Sequence, residues 1–312
     1  MNRRHFLRQC GQVAVGSAAG LVAAAKATQG APGPTEPLPT IPLGDYRITR
    51  LVVGSNPING NSYLGPHTDR HMREYFTVER AAELLRSCEQ AGINTHQFST
   101  SALAKAEAIL RKAREQGSQM HFICLASDRK QIQEAVDKTR PIAVVHHGGA
   151  TDRCFSEGKA GQVRDFVKAV HDQGLLAGVS AHNPDCIQKI ADEGWPVDCF
   201  MACFYFVTRK AFAKAGQPAP EPETLQFSYP FYRDDPAAMT RVMRQVKQPC
   251  LGFKILAGGR KCGSQQAVRE AFRFAFGHIK PGDGVIVGIY PWHFDEVSAD
   301  AQYTRDCHAP TT

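Results

Sequence analysis

A single (β/α)8 barrel is the architecture this sequence predicts, and three observations predict it. Short apolar or β-branched runs alternate with longer amphipathic ones from Tyr46 to the end of the chain. Eight such strand-and-helix units fill roughly 270 residues, the size of a closed barrel. The short runs are continuous rather than alternating, as expected of strands buried on both faces of a parallel sheet.

The strands are expected at 48–53, 93–97, 122–126, 142–146, 175–180, 197–203, 250–256 and 284–289. Between them, helices are expected at 78–91, 102–116, 129–139, 161–173, 184–193, 236–246 and 265–278, with a last one beginning at 298–303. Asn183-Pro184-Asp185 sets out a cap, a first-turn proline and an acid that complements the helix dipole, and Asp235-Pro236 repeats the device. Gly92, Gly174 and Gly194 end helices just before the next strand. An open doubly wound sheet is the competing arrangement, but the first strand is not followed by its G-x-G-x-x-G turn.

Ahead of the barrel, residues 1–27 (MNRRHFLRQCGQVAVGSAAGLVAAAKA) pair two arginines with Phe6-Leu7, a mildly apolar stretch and a small-x-small site at Ala25-Lys26-Ala27. This is the pattern of a twin-arginine export signal, which places the mature protein in the periplasm or another extracytoplasmic space. The competing reading is an amphipathic first helix, but the stretch lacks a helical apolar face. Residues 28–44, rich in Pro and Gly, read as a spacer, and the barrel domain is expected over 45–312.

Composition narrows the function classes. The 312 residues are 43% hydrophobic and 21% charged, which suits a folded globular chain. Beyond the leader no apolar run of about 18 residues suggests a membrane span. Four of the positive charges behind the net +7, Arg3, Arg4, Arg8 and Lys26, fall in the leader, so the excess does not point to nucleic acid. Of the ten cysteines Cys10 lies in the leader, and the other nine show no C-x-x-C spacing. Cys124, Cys199, Cys203 and Cys250 sit in apolar runs as small buried hydrophobes.

Two insertions, 56–76 and 208–234, follow strands one and six on the face where barrel enzymes keep their sites. The first holds His67 and His71 at helical i, i+4 spacing, which suits a metal, but a pair of solvated histidines is the preferred reading. Tyr229, Phe231, Tyr232 and Trp292 also lie on that face, suited either to stacking on a sugar ring or to packing a lid.

The segments ITRLVVGSNP, AGINTHQFS, IAVVHHGG, LAGVSAHNP, GFKILAGG and IKPGDGVIVGI resemble the strand signatures of aldo-keto reductases, in the same order along almost the whole domain. The resemblance implies a (β/α)8 barrel that uses NADPH. That family ends its second strand G-[IV]-x-x-x-D-T-A-x-x-Y, supplying a catalytic Asp and Tyr. Here Gln97 and Ala102 stand at those positions, and Ala126 or Ser127 stands where the family has its lysine. Only the histidine is matched, by His146 or His147. The basic cluster that holds the cofactor's adenosine phosphate is replaced by Tyr-Pro-Trp-His-Phe-Asp-Glu at 290–296. The scaffold is therefore expected to be shared and the reductase chemistry lost.

Histidines stand at the strand ends instead. His96 ends strand two, His146 and His147 end strand four, His182 follows strand five and His293 follows strand eight. Imidazoles gathered from several strands suit a divalent Zn, Mn, Ni or Fe ion, so His96, His146, His182 and His293 are the expected ligands. Neighbours on a strand face opposite ways, which makes His147 the loop residue of its pair. Lys254 is costly to bury unpaired and is expected to enter the mouth as a base, an oxyanion stabiliser or a Schiff-base amine. His147 and Tyr205 are the other catalytic candidates. Gly258-Gly259-Arg260-Lys261 could hold an anion or simply form a tight turn.

The function expected from these residues is an exported metal-dependent lyase, isomerase or hydrolase acting on a small polyhydroxylated or keto-sugar-like substrate. The alternatives are an NADPH-dependent reductase of aldo-keto type, with NADPH the less favoured cofactor, and a ligand-binding barrel without catalysis.

Overall fold

The computed structural model describes residues 36–212, 229 and 231–308. The export signal read over 1–27 lies outside them, as do 28–35 of the spacer and most of the second insertion. Ten strands are described: β1 (Thr40–Leu43), β2 (Tyr46–Thr49), β3 (Leu51–Gly54), β4 (Thr95–Ser99), β5 (His121–Ala126), β6 (Ala143–His146), β7 (Leu176–Ala181), β8 (Cys199–Cys203), β9 (Cys250–Phe253) and β10 (Gly284–Gly288). Strands β3 to β10 close into a parallel barrel in chain order, β10 pairing with β3. The (β/α)8 architecture read from the sequence is the one observed.

Among the described residues ten helices accompany it: α1 (Pro66–Tyr75), α2 (Val78–Gln90), α3 (Leu103–Glu115), α4 (Ile132–Thr139), α5 (Gly148–Ser156), α6 (Gly161–His171), α7 (Pro184–Asp192), α8 (Asp235–Gln245), α9 (Gln265–His278) and α10 (Glu296–Asp306). The start signals act as expected: Asn183 accepts from the Asp185 amide at 3.0 Å and Pro184 opens α7. Thr77 caps α2 and Ser264 caps α9 in the same way. Among the described residues, no helix is long and apolar enough to cross a membrane.

Two features depart from the expected layout. The first strand, expected over 48–53, is cut at Arg50, and β1 from the spacer pairs antiparallel with β2. Ile41, Leu43 and Ile48 of this hairpin share a core cluster with the inward residues Val52, Ile123, Val145, Met201, Leu251 and Ile286, plugging one end of the barrel. Helices α1 and α5 fall where the sequence suggested loops, and α5 carries a residue central to the site.

Strand register decides which side chains reach the mouth. On the outer face Val53, Phe98, Phe122, Val144 and Val179 pack beneath the helices. His96 pairs with Val53 and His146 with Val179, so both histidines belong to that outer layer. Gly178 lies on the inner face, where a Cβ would come within 2.7 Å of Val145 Cγ2 and 2.9 Å of Cys199 Sγ.

Candidate active site

At the C-terminal ends of the barrel strands, His182 and Lys254 meet the ring of Phe253, with Asp152 bound to His182, His147 near both and Tyr63 beside Lys254. His182 lies one residue beyond β7, and its ring is 5.7 Å from that of Phe253. Its Nδ1 donates to Asp152 Oδ2 at 2.8 Å. Asp152, on α5 and only 1% exposed, is fully engaged. It also accepts from the amides of His182 and Asn183 and from Thr208 Oγ1 at 2.8 Å. One carboxylate thus fixes the His182 ring, the start of α7 and the loop after β8. Because Nδ1 carries the proton, Nε2 is the basic atom of His182. Burial lowers the His182 pKa below its ordinary value, the Asp152 bond opposes that shift, and the Lys254 charge adds to it. The ring is neutral at neutral pH.

His147 presents the complementary tautomer. As the cap of α5, its Nδ1 accepts from the Gly149 amide at 3.2 Å, which leaves the proton on Nε2. Burial, then the neighbouring His182 and Lys254, push its pKa down to about 4. Gly148 lets α5 approach so closely: a Cβ there would lie 2.9 Å from Ser180 Oγ and 3.0 Å from His182 Cε1.

Lys254 is the cation of the site. Strand β9 ends at Phe253, short of the expected 256, and Lys254 takes a left-handed backbone with φ of 60°. Its Nζ sits 4.6 Å from the ring centroid of Tyr63 and 4.7 Å from that of Phe253. Burial works to lower the pKa of this ammonium, but the Tyr63 phenol and the Cys203 thiol outweigh it and the net shift is upward. Lys254 is therefore protonated at neutral pH, which suits it to stabilising negative charge rather than to acting as a base. Tyr63 (φ 61°) and Ala257 (φ 52°) are strained in the same way and flank it. Three of the four non-glycine residues with positive φ among the described residues thus meet at one edge of the mouth, as strain does at functional sites.

The expected metal centre is not assembled. His96 points outward, its Nδ1 donating to Val53 O at 2.9 Å and its ring stacked beside Phe98. His146 shares a hydrogen bond with Thr151 Oγ1 at 2.7 Å and packs on Phe166 of α6. His293 is exposed on the loop before α10, beside Trp292. Strand alternation puts the rings of His96 and His146 on the helix-facing side of the barrel, away from His182. Among the described residues, no three His, Cys, Asp or Glu side chains could hold a metal ion. His71 does not join them; it meets Tyr290 Oη at 2.5 Å and packs edge-on against Trp292. Tyr205 is wholly buried against Phe231.

The family resemblance implies a nicotinamide dinucleotide, whose phosphate would lie at the end of the barrel after β10. Acids already occupy the amides there: Asp295 Oδ1 caps α10 by accepting from the Ser298 amide at 3.0 Å, and Glu296 Oε2 accepts from the Tyr290 amide of the preceding loop at 2.7 Å. Burial raises the Glu296 pKa, and burial together with Glu296 raises that of Asp300 well above the carboxylate range. These carboxyls fill the place of an anion site, and the residues there do not fit a bound phosphate.

Asp152 and Tyr63 were not among the residues expected from the sequence. Asp152 lay in a segment read as loop, and Tyr63 in an insertion with no catalytic spacing. His147-Gly148-Gly149 followed by Asp152 could have been read as a helix start, since a capping side chain and small first-turn residues precede it.

No family model matches this chain, and no curated protein matches it in sequence. Its fold is shared with solved structures. A candidate aldo-keto reductase from Pseudomonas aeruginosa is 18% identical with a TM-score of 0.56, over 85% of this chain and 95% of that one. An aldo-keto reductase from Bacillus halodurans, in its holo form, is 10% identical with a TM-score of 0.53, over 86% and 96%. A truncated 3-deoxy-D-arabino-heptulosonate 7-phosphate synthase from Thermotoga maritima is 12% identical with a TM-score of 0.52, over 87% and 91%. At these identities the likeness is one of fold.

Proposed function

We propose that this protein is an enzyme that acts on a small carbonyl compound by proton transfer, without a metal, on a barrel like that of the aldo-keto reductases. One observation carries the reading: around the Phe253 ring stand a neutral imidazole oriented by a buried carboxylate and a lysine held in its charged form. His182 Nε2 takes a proton from the carbon beside the carbonyl. The Lys254 ammonium stabilises the charge that develops on the carbonyl oxygen, and the His147 Nε2–H offers that oxygen a second donor. For an α-hydroxy carbonyl, return of the proton to the former carbonyl carbon, with the hydroxyl proton passing to the other oxygen, completes an isomerisation; for a substrate with a leaving group on its β-carbon, departure of that group with its electron pair from the enolate completes an elimination. The base is available at neutral pH and the cation persists, so both are in their working states together.

The test is exchange of substrate C–H for deuterium in D2O, followed by proton NMR over a panel of small ketones and aldehydes. Exchange by the wild type that is lost in His182→Gln and Lys254→Met supports the proposal. Exchange that survives both substitutions contradicts it.

A second reading, carbonyl reduction, is favoured by the presence of a Tyr–Lys pair, the residue types of the reductases, assembled here from the loop after β3 and the end of β9. The end of the barrel after β10 does not fit the nicotinamide cofactor's phosphate. Saturable NADPH binding by fluorescence titration supports this reading and its absence counts against it. Export by the twin-arginine route belongs to the proposal too and rests on residues 1–27. Replacing Arg3 and Arg4 by Lys is expected to keep the protein inside the cell, as fractionation would show.

A further inference from the structure

Beside the catalytic residues a cavity of about 220 Å3 opens between the ends of β7 and β8 and the start of α8. His182, Pro184, Cys203, Phe206, Ala238 and Met239 contribute to its wall, together with Arg209, Asp234 and Asp235. Its charges are largely spent on one another. Asp235 binds the Arg209 guanidinium and accepts from the Phe206 amide at 2.9 Å. Arg209 lies 4.7 Å from the ring centroid of Phe206 and 5.0 Å from that of Tyr232. Asp234 stands exposed at the rim. His182 is neutral and its Nδ1 is engaged by Asp152, and burial pushes the Cys203 thiol up to about 12, so it too is uncharged. What remains facing the space is mostly carbon and sulfur, although the buried Nε of Arg209, on its wall, has no hydrogen-bond partner.

We infer that this chamber receives an apolar arm of the substrate, a branched alkyl or aryl group attached to the reacting carbonyl, rather than a polyhydroxylated chain. The volume argues for it, because an apolar cavity of about 150 Å3 suffices to bind benzene. Continuity argues for it as well: His182 is both the proposed base and part of the chamber wall, so an arm seated there carries its carbonyl to Lys254. A polyol would meet few partners for its hydroxyls in such a space and would lose its water without replacement. The inference rests on the carbonyl reading for what the arm is attached to, whereas the chamber itself can be probed without turnover.

The experiment is binding of acetophenone, which has an aryl arm, against acetone, which has none, by ligand-observed NMR or calorimetry on the folded enzyme. Acetophenone is expected to bind the wild type at least tenfold more tightly than acetone. Ala238→Phe, which fills the chamber from the half-buried start of α8, is expected to erase that difference. Phe206→Ala enlarges the chamber and is expected to admit 2-acetonaphthone, which keeps the test open should the filled variant fold poorly. Lys254→Met is expected to abolish exchange while acetophenone still binds more tightly than acetone, so failure of the chemistry and failure of the chamber are read separately. Equal affinity for the two ketones in the wild type, or acetophenone binding that neither cavity variant alters, would overturn the inference.

Discussion

The behaviour of His182 is set by a single carboxylate. Asp152 fixes its tautomer, so Asp152→Asn offers the ring an amide N–H in place of an acceptor and allows the proton to move to Nε2. Loss of kcat by roughly a hundredfold or more, with little change in KM, is expected in steady-state assays. Gly148→Ala is a second probe, because its methyl would press on the His182 imidazole at 3.0 Å. Here activity is expected to fall about tenfold or more while the thermal midpoint moves little. The pH profile follows from the same side chains. The His182 pKa lies below the ordinary 6.5 and that of Lys254 above the ordinary 10.5, so kcat is expected to be flat between those values. Its acid limb should fall below pH 6.5 as the base is protonated. A limb centred above 6.5 in the wild type would assign the base to another group.

Strand alternation explains both what the sequence conceals and what it discloses. His96 and His146 stand at strand ends, which suggests a mouth, but their register partners Val53 and Val179 face the helices. The clue was present: His96 and Phe98 are two apart and share a face, and Phe98 is a helix-facing residue. Neutral, buried histidines leave a thermodynamic trace. The pKa values of His96 and His146, lowered chiefly by burial, stand at about 4 in the folded chain against about 6.5 unfolded. Between those limits the unfolded chain binds more protons, so stability is complete above pH 6.5 and declines as the pH falls toward 4. Chemical denaturation from pH 7 to 4.5 is expected to show this decline. His96→Gln, which retains a donor for Val53 O and does not titrate, is expected to lose less stability across the window. Identical pH slopes for the two proteins would contradict the burial account.

Across the whole molecule, the barrel was legible because its eight parallel strands are buried on both faces and so read as continuous apolar runs. The hairpin of β1 and β2 was hidden because Pro37, Pro39 and Pro42 make its first strand look like spacer. The inner core also explains Gly178. Gly178→Ala would drive a methyl into Val145 and Cys199 and is expected to cost about 1–3 kcal/mol, measured by urea denaturation. The site was legible in part. Lys254 stood out as a charge on an apolar strand and His147 as a loop residue by parity, whereas Asp152 and Tyr63 depend on helix α5 and on an insertion whose paths no local pattern dictates.

The central claim is that His182 and Lys254 perform carbonyl chemistry without a metal. It is tested most directly by deuterium exchange into acetophenone and the other panel ketones, with enzyme stripped by a strong chelator and its metal content measured by elemental mass spectrometry. The account predicts exchange that persists in metal-free enzyme and disappears in His182→Gln and Lys254→Met. Exchange that vanishes on stripping and returns with added zinc or manganese would contradict it.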